Sequence, residues 1–202
     1  MKKIFLLLFL PCFTHSKAFS QTANDYDTLG YSKVELKDYS GAMQDLNKAI
    51  ELNPNDDYAY YLLGTLKSKI QDYKGAIQDY DKAIEINPNN ALTYFWRGLS
   101  KANLLDTIGA MQDYNKAIDL DPNNADAYFY RGILKVELQD YRGAIQDCNQ
   151  AIELNPNNAD AYLDRGISEF QLGDKNRACL DWSKAGELGD MKAYGFIKQY
   201  CN

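Results

Sequence analysis

The residues that could do chemistry in this sequence are mainly carboxylates, and they recur at a fixed spacing. Aspartate recurs at a constant interval, at Asp45, Asp79, Asp113, Asp147 and Asp181. Paired carboxylates can act as general acid and base, but a catalytic pair occurs once in a chain. A residue repeated in every unit is typical of a scaffold.

Other catalytic residue types are scarce or wrongly spaced. The single histidine, His15, lies in an N-terminal segment that we expect to be removed, which excludes histidine triads and histidine acid-base roles in the mature chain. The sequence has no GxxxxGK[S/T] or GxGxxG phosphate loop and no CxxC pair. We therefore predict that the protein is not an enzyme and binds no cofactor.

The acidic stretch from Asp121 to Asn124 invites comparison with a calcium loop. Such a loop needs glycine at its sixth place, and Asp126 stands there instead. We predict no metal site.

These side chains belong to a sequence repeat. Pro54, Pro88, Pro122 and Pro156 mark its register at a constant interval. A period of about 34 residues is typical of stacked helical hairpins. The five units are 23–56, 57–90, 91–124, 125–158 and 159–192. Within each unit we predict a first helix over positions 1–14 and a second over positions 17–30.

Helix ends are predicted by the residues around each proline. A proline disfavours helical geometry in the residue before it, so each second helix ends there. Asn90, Asn124 and Asn158 are predicted to cap the helices that follow them. Thr107 and Ile108 break the pattern of the third unit, so we expect its internal turn to pack differently.

Small residues mark where the two helices of a unit touch. Glycine recurs at position 8 and alanine at positions 20 and 27, with large residues, mostly aromatic, at positions 4 and 24. Glycine inside a helix costs roughly 1 kcal/mol relative to alanine, so five in register indicate close helix approach. This pattern resembles the tetratricopeptide repeat family over residues 23–192.

The resemblance implies an all-α, right-handed superhelical solenoid of five helix-turn-helix repeats. Residues 190–202 are predicted to form a C-terminal capping helix, which such arrays need to close their apolar end. The segment SKAGELGDMKAYGFIKQYC also resembles, in part, a Sel1-like repeat.

The family resemblance further implies a concave groove lined by the first helix of each unit. We predict its partner-binding residues to be Tyr31, Tyr61, Phe95, Leu99, Phe129, Ile133, Leu163 and Ile167, with an acidic rim of Glu35, Asp126, Glu137, Asp160 and Asp164. An apolar strip edged by acids favours an apolar, neutral or basic protein segment. In the alternative interpretation, positions 9 and 12 pack against neighbouring helices and only position 5 is exposed.

The family's clamp for a peptide carboxylate is not predicted. It needs lysine at position 5 and asparagine at position 9, and neither is present in any unit. Binding to chaperone tails is therefore not expected.

The N-terminal segment 1–20 has the layout of a secretory signal peptide. Lys2 and Lys3 precede an apolar run that is too short to span a bilayer, and small residues follow. We predict cleavage before Gln21, or alternatively after Ala18, and a periplasmic or secreted product. A retained tether and lipidation at Cys12 are the other interpretations.

Loss of that segment makes the chain more acidic. It carries three of the 22 basic residues and no acid, which leaves 19 basic against 28 acidic side chains. Nucleic acid and anionic membrane surfaces attract clustered positive charge, so neither is a predicted partner.

Export permits disulfides. Cys179 and Cys201 flank the predicted turn before the last helix at equal distances, so an antiparallel hairpin would bring them together; two free thiols are the alternative. Cys148 stands at position 24 and is predicted to be a small buried residue.

Arginines appear at position 7 in the last three units, as Arg97, Arg131 and Arg165. Hairpin geometry places position 7 near position 23, so each is predicted to pair with the aspartate of its unit. The alternative is a solvated arginine whose stem packs on the surface.

Two functions remain from the sequence alone. We favour an exported, non-catalytic scaffold that binds another protein in its concave groove. The alternative is a structural protein of the cell envelope that self-associates through the groove or the end caps.

Overall fold

The structure is a computed structural model that describes residues 21–201; the predicted signal peptide, with Cys12 and His15, and the last residue lie outside them. Within that range the chain forms eleven helices and no strand. Their bounds are α1 Ala23–Glu35, α2 Tyr39–Leu52, α3 Asp57–Lys69, α4 Tyr73–Ile86, α5 Ala91–Asn103, α6 Thr107–Leu120, α7 Ala125–Glu137, α8 Tyr141–Leu154, α9 Ala159–Gln171, α10 Lys175–Glu187 and α11 Met191–Tyr200. The predicted solenoid of five hairpins and a final helix is confirmed.

Polar side chains begin every helix. The predicted caps are confirmed: the side chain of Asn90 accepts from the amides of Leu92 and Thr93, and Asn124 and Asn158 accept likewise at α7 and α9. Aspartate caps the second helix of each unit. These residues are Asp38, Asp72, Asp106, Asp140 and Asp174. Each such cap typically contributes about 1 kcal/mol.

The turn between the two helices of a unit is the same in all five units. Position 15 has a positive φ throughout, at Lys37, Gln71, Leu105, Gln139 and Gly173. The different packing expected of the turn in the third unit does not extend to its backbone. Leu105 has a φ of 63° and Asp106 caps α6 as its counterparts do. The turn is set by this backbone and cap, while the unusual Ile108 only adds exposed apolar surface.

Position 8 lies against position 24 of the same unit. A Cβ on Gly64 would lie 2.5 Å from Cε1 of Tyr80, whose side chain is fully buried. At Gly132 the equivalent contact is looser, 3.4 Å to Cβ of Asp147 and 3.5 Å to Sγ of Cys148. The predicted close approach is confirmed, but its tightness depends on the residue at position 24.

We expect Gly64→Ala to lower the free energy of unfolding by about 1–3 kcal/mol, the usual range for overpacking. Gly132→Ala is the matched control: its new methyl group meets only ordinary contact distances, and alanine is the better helix former by about 1 kcal/mol. Urea unfolding of both variants measures the difference. Equal destabilisation by both substitutions would contradict the role given to the Tyr80 ring.

The arginines join neighbouring units, which confirms the paired interpretation. The guanidinium of Arg131 donates from Nε and Nη2 to Asp147 at 2.8 and 2.6 Å, and from Nη1 to Asn115 of the preceding unit at 2.7 Å. It also lies 5.5 Å from the ring centroid of Tyr128. Arg97 and Arg165 repeat this arrangement.

A lysine at position 11 completes the arrangement in the first four units. The Nζ atoms of Lys33, Lys67, Lys101 and Lys135 lie 2.6, 2.7, 2.8 and 2.7 Å from the aspartates at position 23. In the fifth unit Glu169 replaces this lysine. Asp181 therefore has Arg165 as its one ion-pair partner within the described residues.

The last helix closes the array. Phe196 and Tyr200 of α11 pack on Trp182, with ring centroids 4.9 and 5.9 Å away, and Tyr200 also lies 4.6 Å from Phe170. Cys179 and Cys201 form the predicted disulfide. Cys148 is a buried free thiol, as predicted. α11 thus covers the end of the fifth unit.

No helix in the range 21–201 is both long and apolar enough to cross a membrane.

Candidate partner-binding groove

A groove of about 530 Å³ runs along the first helices of units one to three. Tyr31, Tyr58, Leu92, Trp96 and Leu99 form most of its apolar wall. They occupy positions 9, 2, 2, 6 and 9. These positions follow the spacing of helical turns, so they share one face of a helix. The stacked first helices bring that face together.

Aromatic rings give the groove its shape. Tyr58 and Tyr61 stack with ring centroids 6.0 Å apart, and Trp96 is held edge-on against Phe95 at 5.3 Å. Tyr31, Tyr58 and Leu92 are about half exposed, at 48, 46 and 50 %. Large apolar side chains left accessible in a concave wall are the usual mark of a binding surface.

Hydroxyl groups on the groove floor are already paired. Ser100 Oγ donates to the carbonyl of Trp96 at 2.9 Å, so its single proton is used and Ser68 Oγ is the donor in their 2.8 Å contact. Thr65 Oγ1 donates to the carbonyl of Tyr61 at 2.7 Å. The Ser68–Ser100 bond joins α3 to α5, and the other two bonds lie within one helix. The paired hydroxyl groups leave a mainly apolar surface to a ligand.

The structure brings together four of the predicted groove and rim residues: Tyr31, Tyr61, Leu99 and Glu35 all line this groove. Phe129, Ile133 and Ile167 are half-buried and belong to the C-terminal half of the array. Ile167 packs with the cluster that α11 closes. These three residues do not line the groove of units one to three.

Position 5 points mostly into the core. Phe95 and Leu163 are each only 5 % exposed, and so is their counterpart Asp27, at 4 %. This corrects the alternative in which position 5 alone is exposed, and it removes Phe95 and Leu163 from the accessible wall. The physical reason is the helix period: position 5 is one turn beyond position 2 but sits on the edge that faces the neighbouring second helix.

Sequence reasoning missed Tyr58, Leu92 and Trp96 as groove residues. At position 2 the sequence analysis named only Asp126 and Asp160, as residues of the acidic rim, and it did not consider position 6. The spacing of positions 2, 6, 9 and 13, which is one face of a helix, is the signal that could have identified them.

The acidic rim lies mostly beyond the groove, in units four and five. Asp126, Glu137 and Asp160 are exposed and Asp164 is half-buried. Burial raises the pKa of Asp164 to about 6, and the nearby charge of Asp160 adds to this. Burial also raises the pKa of Tyr130, with contributions from Asp126 and Asp160. The negative charge of this half of the wall at neutral pH therefore comes mainly from the exposed carboxylates of Asp126, Glu137 and Asp160.

Clusters of three or more metal-ligating side chains are absent from residues 21–201. The arrangement offers surfaces for contact and charge pairing.

Family models match most of the chain. A model described as TPR repeat matches residues 30–71, 68–104 and 108–139, and models described as tetratricopeptide repeat match 125–158 and 148–179. The chain belongs to the tetratricopeptide repeat family. A comparison with curated proteins found no significant match.

Solved structures share the fold of this tetratricopeptide repeat chain. A crystal structure of MamA is 24% identical with a TM-score of 0.74, over 82% of this chain and 96% of that one. YrrB, described as a TPR protein with an unusual peptide-binding site, is 21% identical with a TM-score of 0.75, over 88% and 92%. PilF of Pseudomonas aeruginosa is 19% identical with a TM-score of 0.77, over 84% and 77%. At these identities the likeness concerns the fold.

Proposed function

We propose that this protein is an exported, non-catalytic scaffold that binds a segment of another protein in the groove formed by α1, α3 and α5. The accessible aromatic wall of Tyr31, Tyr58 and Trp96 carries this proposal. Tetratricopeptide arrays commonly present such extended concave surfaces to partners, and the fold likeness to YrrB supports a peptide-binding groove here. The signal-like segment 1–20 supports export to the periplasm or beyond.

The partner segment is apolar where it enters the groove. Glu35 and Lys69 are the charged lining residues and their charges offset each other. The negative wall of units four and five lies next along the array, so a segment with basic residues on that side is favoured electrostatically. The same negative charge disfavours nucleic acid and anionic membranes as partners.

The combined substitution Tyr58→Ala and Leu92→Ala is expected to weaken partner binding at least tenfold, because loss of a central hot spot costs about 2 kcal/mol or more. Both residues are about half exposed, so helicity should be unchanged. The matched control is Leu105→Ala with Ile108→Ala, which removes apolar side chains that are 89 and 75 % exposed outside the groove.

Affinity capture from the native envelope fraction, quantified by mass spectrometry, compares the two variants with wild type. A partner retained by the control and lost from the groove variant supports the proposal; equal capture by all three contradicts it. Light scattering tests the self-association alternative. We expect a monomer at all concentrations, and an oligomer that the groove variant dissociates would show that the groove binds a second copy.

A further inference from the structure

The fifth unit contains a buried carboxylate that the other units lack. Glu169 is only 7 % exposed, and its Oε2 has no hydrogen-bond partner among the described residues. It lines a cavity of about 350 Å³ between α8, α9 and α10. This cavity lies away from the partner-binding groove, because positions 11 and 9 of a helix are roughly 200° apart.

Neighbouring cations do not satisfy Glu169. Arg165 directs three of its five N–H groups elsewhere: Nε and Nη2 donate to Asp181 at 2.7 Å each, and Nη1 donates to Asn149 at 2.6 Å. None of its N–H groups donates to Glu169 Oε2. Arg177 has a side chain that is 73 % exposed and pairs with Asp174 at 3.3 Å. Burying a carboxylate without a hydrogen-bond or ion-pair partner costs free energy. A ligand that supplies such a partner to Glu169 would therefore bind favourably.

The other four units show which group fits this place. There, position 11 is lysine, and its ammonium lies 2.6–2.8 Å from the aspartate at position 23. In the fifth unit the aspartate remains as Asp181, while the ammonium is replaced by a second carboxylate. Ile145 and Leu180 also line the cavity and offer apolar surface to an alkyl chain.

We propose that this cavity, in which the carboxyl groups of Glu169 and Asp181 lie beside the guanidinium groups of Arg165 and Arg177, binds a primary alkylammonium group from outside the chain. The ammonium would pair with the Glu169 carboxyl group and approach Asp181, and its methylene groups would pack on Ile145 and Leu180. A lysine side chain of a partner and a free polyamine share this chemistry.

Binding should strengthen as the pH rises from 6 to 8. Burial, followed by the charge of Asp181, raises the pKa of Glu169 to about 7, against the opposing effects of Arg165 and Arg177. Asn149 from α8 and Asp174 at the start of α10 are the other polar groups nearby. Glu169 is thus ionised only above about pH 7, where an alkylammonium is still protonated.

The probe is butylammonium chloride, added to the full chain at pH 8 during thermal unfolding, with tetramethylammonium chloride at equal ionic strength as the control cation. At a few times its Kd, butylammonium should raise the Tm by about 2–4 °C, and the shift should shrink at pH 6. Equal shifts from both cations, or no shift from butylammonium, would overturn the proposal.

Two variants locate the effect. Glu169→Lys supplies the ammonium from the chain, as Lys135 does in the fourth unit, so it should raise the Tm of the free protein and abolish the butylammonium shift. Glu169→Gln should abolish the butylammonium shift without raising the Tm of the free protein. A shift that persists in Glu169→Lys would overturn the site.

Arg177→Gln separates the ligand site from an internal ion pair. It should keep the butylammonium shift, since Arg177 is exposed and bonded elsewhere. A Tm loss of several degrees at pH 8, with the shift abolished, would show that Arg177 itself is the partner of Glu169 and would overturn the proposal.

Two further probes distinguish a protein lysine from a free polyamine as the source of the ammonium group. Binding of either probe supports the site. A larger shift with Nα-acetyl-lysine amide than with butane-1,4-diamine identifies a protein lysine. The reverse order identifies a free polyamine.

Discussion

Arg165→Leu is expected to lower the free energy of unfolding by about 3–5 kcal/mol, the cost of leaving one member of a buried ion pair without its partner. Asp181 is 7 % exposed, and Arg165 is its one ion-pair partner in the described range. Leucine itself fits position 7, as Leu29 and Leu63 show in the first two units. The loss therefore reports the charge left behind.

Arg131→Leu is the matched control and should cost less, about 1–3 kcal/mol for lost hydrogen bonds to a charged group. Asp147 keeps the ammonium of Lys135 at 2.7 Å after this change, which is the arrangement that Lys67 and Asp79 already have. Urea unfolding measures both variants. Adding Glu169→Lys to Arg165→Leu should recover most of the loss, and failure to recover it would argue against the ion-pair explanation.

Stability is expected to fall as the pH rises from about 4 to about 7.5. Burial, followed by the nearby charge of Asp56, raises the pKa of Asp27 to about 6, and burial raises the pKa of Glu169 to about 7. Unfolded carboxyls titrate near pH 4, so the folded state holds these protons more tightly. The associated stability is fully present below pH 4 and is lost as the pH passes through 6 and 7.

A shift of two pKa units corresponds to about 3 kcal/mol for each carboxyl. Urea unfolding at pH 4.5, 6 and 7.5 should show this loss in the wild type. The combined substitution Asp27→Asn and Glu169→Gln should flatten the profile, leaving the smaller slope due to Asp164, whose pKa is also raised to about 6. A wild-type profile that is flat or rises over this range would contradict the raised pKa values.

Asp27 shows why that pH dependence could not be predicted from the sequence. It stands at position 5, where the other units have tyrosine, phenylalanine or leucine. The sequence analysis placed this position on the open wall, where an aspartate would be solvated. Its burial at 4 % exposure follows from how the second helix of the unit and the next first helix enclose it.

Only part of the candidate groove was predicted correctly, again because the sequence does not show which residues other helices bury. The apolar residues at position 9 correctly located Tyr31 and Leu99 at the groove. This worked because position 9 lies on the same face of the first helix in each unit. The sequence extended the strip to Leu163 and Ile167, but α11 packs over the fifth unit and Leu163 is buried there. The residue pattern of a single helix does not show which of its side chains are covered by a helix that comes later in the chain.

The sequence by itself determined the helices, their ends and their stacking. A strictly kept repeat period brings back the same capping residues, prolines and small contact residues in each unit, and these act over a few neighbouring residues or between adjacent helices. Hairpin register also predicted the Arg131–Asp147 pair and the Cys179–Cys201 bridge, with a solvated arginine and free thiols as alternatives, and the structure confirmed both pairings.

Only the tertiary structure decided which parts of the repeat are accessible and which charges lack partners. The groove lies mainly along α1, α3 and α5, and Glu169 is buried near Asp181, because exposure depends on all the helices that surround a residue. Pairwise register predicts contacts, whereas burial is a property of the whole packed array.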